Sequence, residues 1–163
     1  MERSSKVVLH PLSPADVESI KQWPRYSGEF VLLDYALRSG GWLDTFQESA
    51  TTIRFGGWLH GELLGFSLLT EISAESAEFY IAIHPVQTGR GIGREITTEI
   101  LKYAFATLNV RRVYLKVRKW HSRGIALYER VGFVITGDKI ENIQGEPVDF
   151  FVMEIHNPTK TSS

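Results

Sequence analysis

Cysteine is absent from the 163 residues, so disulfides, thiolate nucleophiles and zinc–sulfur centres are excluded from the outset. Long apolar runs are missing too. No segment could span a bilayer, and the opening MERSSKVVLHPLS lacks the apolar stretch of a secretory signal. The expectation is a cytoplasmic protein that does not engage a membrane. Charge of one sign is equally scarce: the formal net charge is −1 and no arginine–lysine block exceeds two residues, so no footprint for nucleic acid is present. The histidines, His10, His60, His84, His121 and His156, show no paired spacing such as H-x-x-x-H, and no metal is expected. The nucleoside-triphosphate signature G-x-x-x-x-G-K-[S/T] does not occur.

What is there looks ordinary in bulk. The hydrophobic fraction is 43% and the charged fraction 23%, and the length fits one domain, placed at residues 1–157 with a frayed polar tail at 158–163. One stretch is not ordinary. From Ala77 to Thr107 the chain reads as strand, glycine-rich turn and long helix. Phe79 to Ile83 is a β-prone apolar run stopped by Pro85; Gly89, Gly91 and Gly93 then alternate with Arg90, Ile92 and Arg94. Ile92, Ile96, Ile100, Ala104 and Leu108 recur every fourth residue and predict a helix with one apolar stripe. The first amides of such a helix lack intrahelical partners and carry the positive end of its dipole, a setting that suits phosphate. Arg90 and Arg94 add donors for a diphosphate. The dinucleotide fingerprint G-x-G-x-x-G fails because Arg94 stands at its third glycine, although Arg118, on the next strand, keeps an NADP-type reading open. The plainer alternative is a glycine-lined turn that merely packs helix on strand.

IAIHPVQTGRGIGREI followed by SRGIALYERVGF resembles the Gcn5-related N-acetyltransferase (GNAT) superfamily, between about Ala77 and Phe133. That family has an acetyl-CoA loop of the form [Q/R]-x-x-G-x-[G/A] and a later helix of the form N-x-x-A-x-x-[L/F]-Y-x-x-x-G-F. The resemblance implies an α/β mixed-sheet fold of the acyl-CoA N-acyltransferase type, and the chain's own element order, β-α-α-β-β-β-α-β-α-β-β, agrees with it. It implies an acetyl-CoA-dependent N-acetyltransferase that acetylates a primary amine of a small molecule or peptide by direct attack in a ternary complex. Without cysteine, no acyl-cysteine intermediate can form. The rivals are an acyl-CoA-binding sensor without turnover and an NADP-binding protein. A homodimer is common in the family.

Residue by residue, the resemblance assigns the pantetheine arm to main-chain groups of Ile81, Ala82 and Ile83. It assigns the pyrophosphate to Thr88, Gly89, Arg90, Gly91, Ile92, Gly93 and Arg94, and gives Tyr128 the role of general acid. The chain departs from the motif at Thr88, with Gln87 one residue off the expected Gln/Arg place, at His121 in place of asparagine and at Gly124 in place of alanine. His121 is either a coenzyme contact or a surface histidine. Arg111, Arg112, Lys116, Arg118, Lys119 and Arg123 form either a solvated strand end or a basic neighbour for coenzyme A phosphates. For the general base Glu78 is first choice, with Glu71 and His84 behind it, and a water chain with no dedicated base is also common in the family. Lys116 stands where N-terminal protein acetyltransferases of the family carry a glutamate.

Before this stretch the signals are weaker. Ser13-Pro14-Ala15-Asp16 predicts a capped helix start. Phe30 to Leu37 predicts a second helix ending at Ser39-Gly40-Gly41, in an aromatic-rich segment that the resemblance puts on the acceptor side, with Tyr35 and Trp42 as substrate contacts. Near-zero net charge argues mildly against a strongly cationic acceptor.

Overall fold

The computed structural model describes residues 6–160. Strand β1 (Val8–Pro11) leads into α1 (Pro14–Lys21), whose start is fixed by the expected reciprocal cap. Asp16 N donates to Ser13 Oγ at 3.1 Å and Ser13 N donates to Asp16 Oδ2 at 2.9 Å. The second helix expected after Phe30 is instead a 3-10 segment, Gly28–Leu37, followed by one α turn, α2 (Trp42–Thr45). Its apolar residues follow no single helical face, so a buried carboxylate rather than a stripe sets its course. Asp34, 4% exposed, accepts from Tyr26 N, from Arg25 and twice from Arg38.

Three antiparallel strands follow: β2 (Ile53–Leu59), β3 (Glu62–Thr70) and β4 (Ser76–Ile83). A bulge falls at Leu64, because Gly57 pairs with Gly65 and Trp58 with Leu63, leaving Leu64 over. Helix α3 (Ile92–Lys102) then lays Ile92, Ile96 and Ile100 on the sheet at 3%, 0% and 0% exposure. Each such burial contributes about 1.5–3 kcal/mol. Glycines on the sheet make the seat, since a Cβ at Gly57 or Gly65 would stand 2.7 Å from Ile96 Cδ1. A π turn at Tyr103–Thr107 and Asn109, with φ +61°, end this helix.

The chain continues through β5 (Arg112–Arg118), α4 (Ser122–Val131), β6 (Val134–Ile143) and β7 (Glu146–His156). The hairpin between β6 and β7 is tight, with only Gln144 and Gly145 between the strands, at φ 52° and 85°. Part of the expected frayed tail is held as well. Pro158–Lys160 forms a 3-10 turn tied to Asn157, whose side chain donates to Val110 O at 2.9 Å; residues 161–163 lie outside the described residues. Among the described residues no helix is long and apolar enough to cross a membrane.

The seven strands lie in the order β1-β2-β3-β4-β5-β7-β6, a mixed sheet as expected. One core gathers α3 and α4 against one face; the other gathers α1 and the 3-10 segment against the opposite face. The site comes from the single parallel neighbour pair. Strands β4 and β5 pair only at Ser76–Arg112, Ala77–Val113 and Glu78–Tyr114. Beyond Glu78, β4 stays with β3 to Ile83 while β5 stays with β7 to Arg118, so the two diverge and a wedge opens between them.

Candidate active site

The wedge is a cleft of about 820 Å³ that passes from the glycine loop to the 3-10 segment. Its loop end is rich in free donors. His84 anchors the turn, its N donating to Leu64 O at 2.8 Å and its Nδ1 accepting from Val86 N at 3.1 Å. Gly89 and Gly91 take φ values of 81° and 84°, and Gly91 caps α3 without any side-chain bond. Among the described residues the amides from Gly89 to Arg94 meet no carbonyl or side-chain acceptor. Thr88, Gly89, Gly91, Gly93 and Arg94 line the cleft together with Gln87.

Two of the loop residues turn their side chains away from the cleft. Arg90 does not line the cleft; its Nη1 donates to Gln87 Oε1 at 2.6 Å, because the turn brings residues three apart together. The Ile92 side chain points into the core, as the stripe demands, leaving only its amide for a ligand.

Strand alternation sorts the next group. His84 N donates to β3, so by the two-residue period Ala82 turns its N–H and C=O to β3, whereas Ile81 and Ile83 turn theirs to the opening. The main-chain assignment therefore fails at Ala82. The Ile83 carbonyl already accepts from the Tyr26 hydroxyl, a contact between the 3-10 side and β4 that has no local signature in the chain. Burial pushes the Tyr26 phenol up, well above the usual tyrosine range.

Helix α4 and its N-cap bring His121, Arg123, Gly124, Leu127, Tyr128 and Arg130 to the cleft, among them the His121, Arg123 and Tyr128 singled out in the sequence. The Arg123 Nη2 lies 3.0 Å from where a Cβ on Gly89 would be, so this cation belongs to the loop end. Its guanidinium covers the Phe30 ring at 5.3 Å. His121 stacks edge-on against Phe30 at 5.6 Å, and its buried Nδ1 has no hydrogen-bond partner. Burial, then the Arg123 charge, lowers its pKa, so the neutral ring is favoured. The ring also explains the second motif departure. A Cβ on Gly124 would stand 2.6 Å from His121 Cδ2, so the histidine requires the glycine. Tyr128 packs between Phe79 and Phe133, and among the described residues its hydroxyl makes no hydrogen bond. Burial and the neighbouring Tyr26 raise its pKa, keeping it a donor at neutral pH.

On the far side Tyr35, Trp42, Phe46, Tyr80 and Phe150 line the cleft, so both expected acceptor-side residues are there. Glu78 is not. It lies beside Lys116 at 3.6 Å, outside the cleft, because it sits where β4 and β5 are still paired. Lys116 also meets Glu141 at 3.2 Å and donates to the Tyr80 hydroxyl at 3.0 Å. Burial alone would lower the lysine pKa; Tyr80, Glu78 and Glu141 outweigh it and hold the ammonium charged. The Tyr80 phenol is pushed up to about 12, chiefly by burial and then by Glu78. Neither fallback base lines the cleft: Glu71 and His84 lie outside it. The expected basic patch is dispersed. Arg111 pairs with Glu75, Arg112 with Glu154 and Lys119 with Asp138 and Asp149.

Donors at one end, a wedge along β4 and an unclaimed phenol facing it suit a long phosphorylated thioester. Known proteins agree. The model of the Acetyltransferase (GNAT) family matches residues 17–133. A Vibrio cholerae spermidine N(1)-acetyltransferase is 38% identical over 81 residues, 48% of this chain and 47% of that enzyme. The chain thus aligns with about half the length of the curated relatives it matches. A chimera of the Vibrio cholerae spermidine N-acetyltransferase SpeG and hSSAT superposes with TM-score 0.76 at 28% identity, covering 95% of this chain and 98% of that one. The Vibrio cholerae enzyme in complex with CoA and spermine gives TM-score 0.69 at 27% identity, over 93% of this chain and 96% of that one. The family match runs through the wedge, the loop and the helix bearing Tyr128, and the chain belongs to the acetyltransferase (GNAT) family.

Proposed function

We propose that the protein is an acetyl-CoA-dependent N-acetyltransferase that acetylates a primary amine of a small molecule by direct attack in a ternary complex. The observation that carries this reading is the parting of β4 and β5 after Glu78, with free amides at one mouth and the Tyr128 hydroxyl facing the opening. The residues present fit coenzyme A. Amides of Gly89 to Arg94 would hold its pyrophosphate, with Arg94 and Arg123 as flanking cations. The outward main-chain groups of Ile81 and the outward N–H of Ile83, whose carbonyl is taken by Tyr26, would hold the pantetheine arm, and His121 Nδ1, unpartnered among the described residues, stands ready as an acceptor for it.

Bound acetyl-CoA supplies an activated thioester, whose C–S bond breaks as the C–N bond to the amine forms. An N–H of β4 that faces the opening is placed to polarise the thioester carbonyl, in the manner of an oxyanion hole. Tyr128 donates to the leaving sulfur, and its raised pKa keeps the proton in place until then. Among the described residues no free carboxylate lines the cleft to act as a base, since Glu141 is held by Lys116 and Lys139, so the amine proton leaves through water. Main-chain positioning of both partners supplies the proximity term.

Thiol release from acetyl-CoA, followed across a panel of primary amines that includes the spermidine and spermine named for the relatives, tests the reading. Thiol release with at least one amine and a higher melting temperature with coenzyme A support it. Coenzyme binding without thiol release from any amine leaves a sensor; no binding at all removes both readings.

A further inference from the structure

We propose that the amine acceptor carries a carboxylate and that Arg118 receives it. This rests on the acetyltransferase reading above and narrows its substrate class. Arg118 ends β5 and lines the cleft, yet is only 7% exposed. Among the described residues its guanidinium has no ion pair and no hydrogen bond; its contacts are ring faces, Tyr35 at 5.8 Å and Phe150 at 6.0 Å. An arginine does not neutralise itself when buried, so an unpaired one is costly unless an anion comes to it.

Its direction separates it from the coenzyme. Along β5, Leu115 and Val117 enter the core beneath α3 and α4, so Lys116 and Arg118 project from the opposite face, where Tyr35, Tyr80 and Phe150 lie. The cations beside the glycine loop are others, Arg94 and Arg123.

The charge balance of the cleft points the same way. Among the described residues five cations line it, Arg94, Lys116, Arg118, Arg123 and Arg130, against one carboxylate, Glu141. That carboxylate is already engaged by Lys116 at 3.2 Å and Lys139 at 2.7 Å. Nothing remains to pair with the several ammonium groups of a polyamine. A single unpaired guanidinium beside aromatic walls fits an apolar amine with one carboxylate, which the planar fork can grip with two parallel bonds.

Calorimetric titration of the whole chain saturated with coenzyme A tests this, using three probe pairs that differ only by the carboxylate. They are phenylalanine and phenethylamine, leucine and isoamylamine, and methionine and 3-(methylthio)propylamine. In at least one pair the amino acid should bind about 10- to 100-fold more tightly, the range of a hydrogen bond to a charged group. Arg118→Gln should abolish that preference, and Arg118→Lys, which keeps the charge but not the fork, should retain part of it. Equal binding within all three pairs, absence of binding included, overturns the proposal. So does tighter binding of spermidine than of every amino acid. A coenzyme affinity that collapses in Arg118→Gln, with the fold intact by circular dichroism, overturns it by assigning Arg118 to the phosphates. Thiol release is measured separately with the same amines. Its failure would end the acetyltransferase reading, while the pairwise preference is judged on binding alone.

Discussion

His121 and Gly124 are two departures from the motif that the structure makes one. The helical spacing places residue 124 beneath the ring of residue 121, and the contact is too short for a methyl group: 2.6 Å to Cδ2 and 2.7 Å to Nε2. The ring cannot swing away freely, since Phe30 and Trp120 flank it at 5.6 Å and 5.5 Å. Gly124→Ala alone therefore sets two effects against each other. Alanine in a helix gains about 1 kcal/mol over glycine, and forcing a methyl into a packed site costs about 1–3 kcal/mol. The single variant should be neutral or less stable by up to about 2 kcal/mol. With His121→Asn in place the clash is gone, and the same alanine should stabilise by about 1 kcal/mol. The coupling energy is then about 1–3 kcal/mol, well above the roughly 0.3–0.5 kcal/mol scatter of independent sites. Urea denaturation of the four proteins measures it directly, and the N-cap preference of asparagine cancels in the cycle. Additive variants would refute the claim that the histidine dictates the glycine.

Tyr128→Phe should lower turnover by about 100-fold or more, the usual contribution of a positioned proton donor, while coenzyme affinity by calorimetry holds; unaltered turnover retires the assignment. Asp34→Asn should destabilise by about 3–5 kcal/mol, because it leaves Arg38 without its buried partner, and a urea midpoint near wild type would show the cluster to be incidental. The wild type should show the corresponding pH dependence. The Arg38 hydrogen bonds hold the folded Asp34 below the usual carboxylate range, so its contribution is full above about pH 4 and is lost as pH falls through that lower folded value. Acid titration of the urea midpoint, compared between wild type and Asp34→Asn, should show the two curves converging at low pH. Tyr26→Phe should cost about 1 kcal/mol through loss of the bond to Ile83 O, read by the same denaturation, and no loss would mean that water replaces the phenol at no cost.

Local chemistry fixed much of this protein in advance. The Ser13–Asp16 cap, the four-residue recurrence of Ile92, Ile96 and Ile100, the glycine turn and the crossover from β4 to β5 are each written within a dozen residues of chain, where period and backbone preference decide the outcome. The place of Tyr128 on the cleft was legible for the same reason, through the motif around it. The 3-10 segment was not, since its course follows Asp34, whose partners Arg25, Tyr26 and Arg38 show no period. Nor were the fates of Glu78 and Arg118. Alternation along one strand tells which residues share a face, but not what waits opposite. Lys116 of β5 meets Glu78 from β4 and Glu141 from β6, while the guanidinium of Arg118, two residues on and past the divergence, meets only rings among the described residues. Which charge is quenched and which is left facing the cleft depends on the registry of strands distant in sequence, and only the assembled sheet sets that registry.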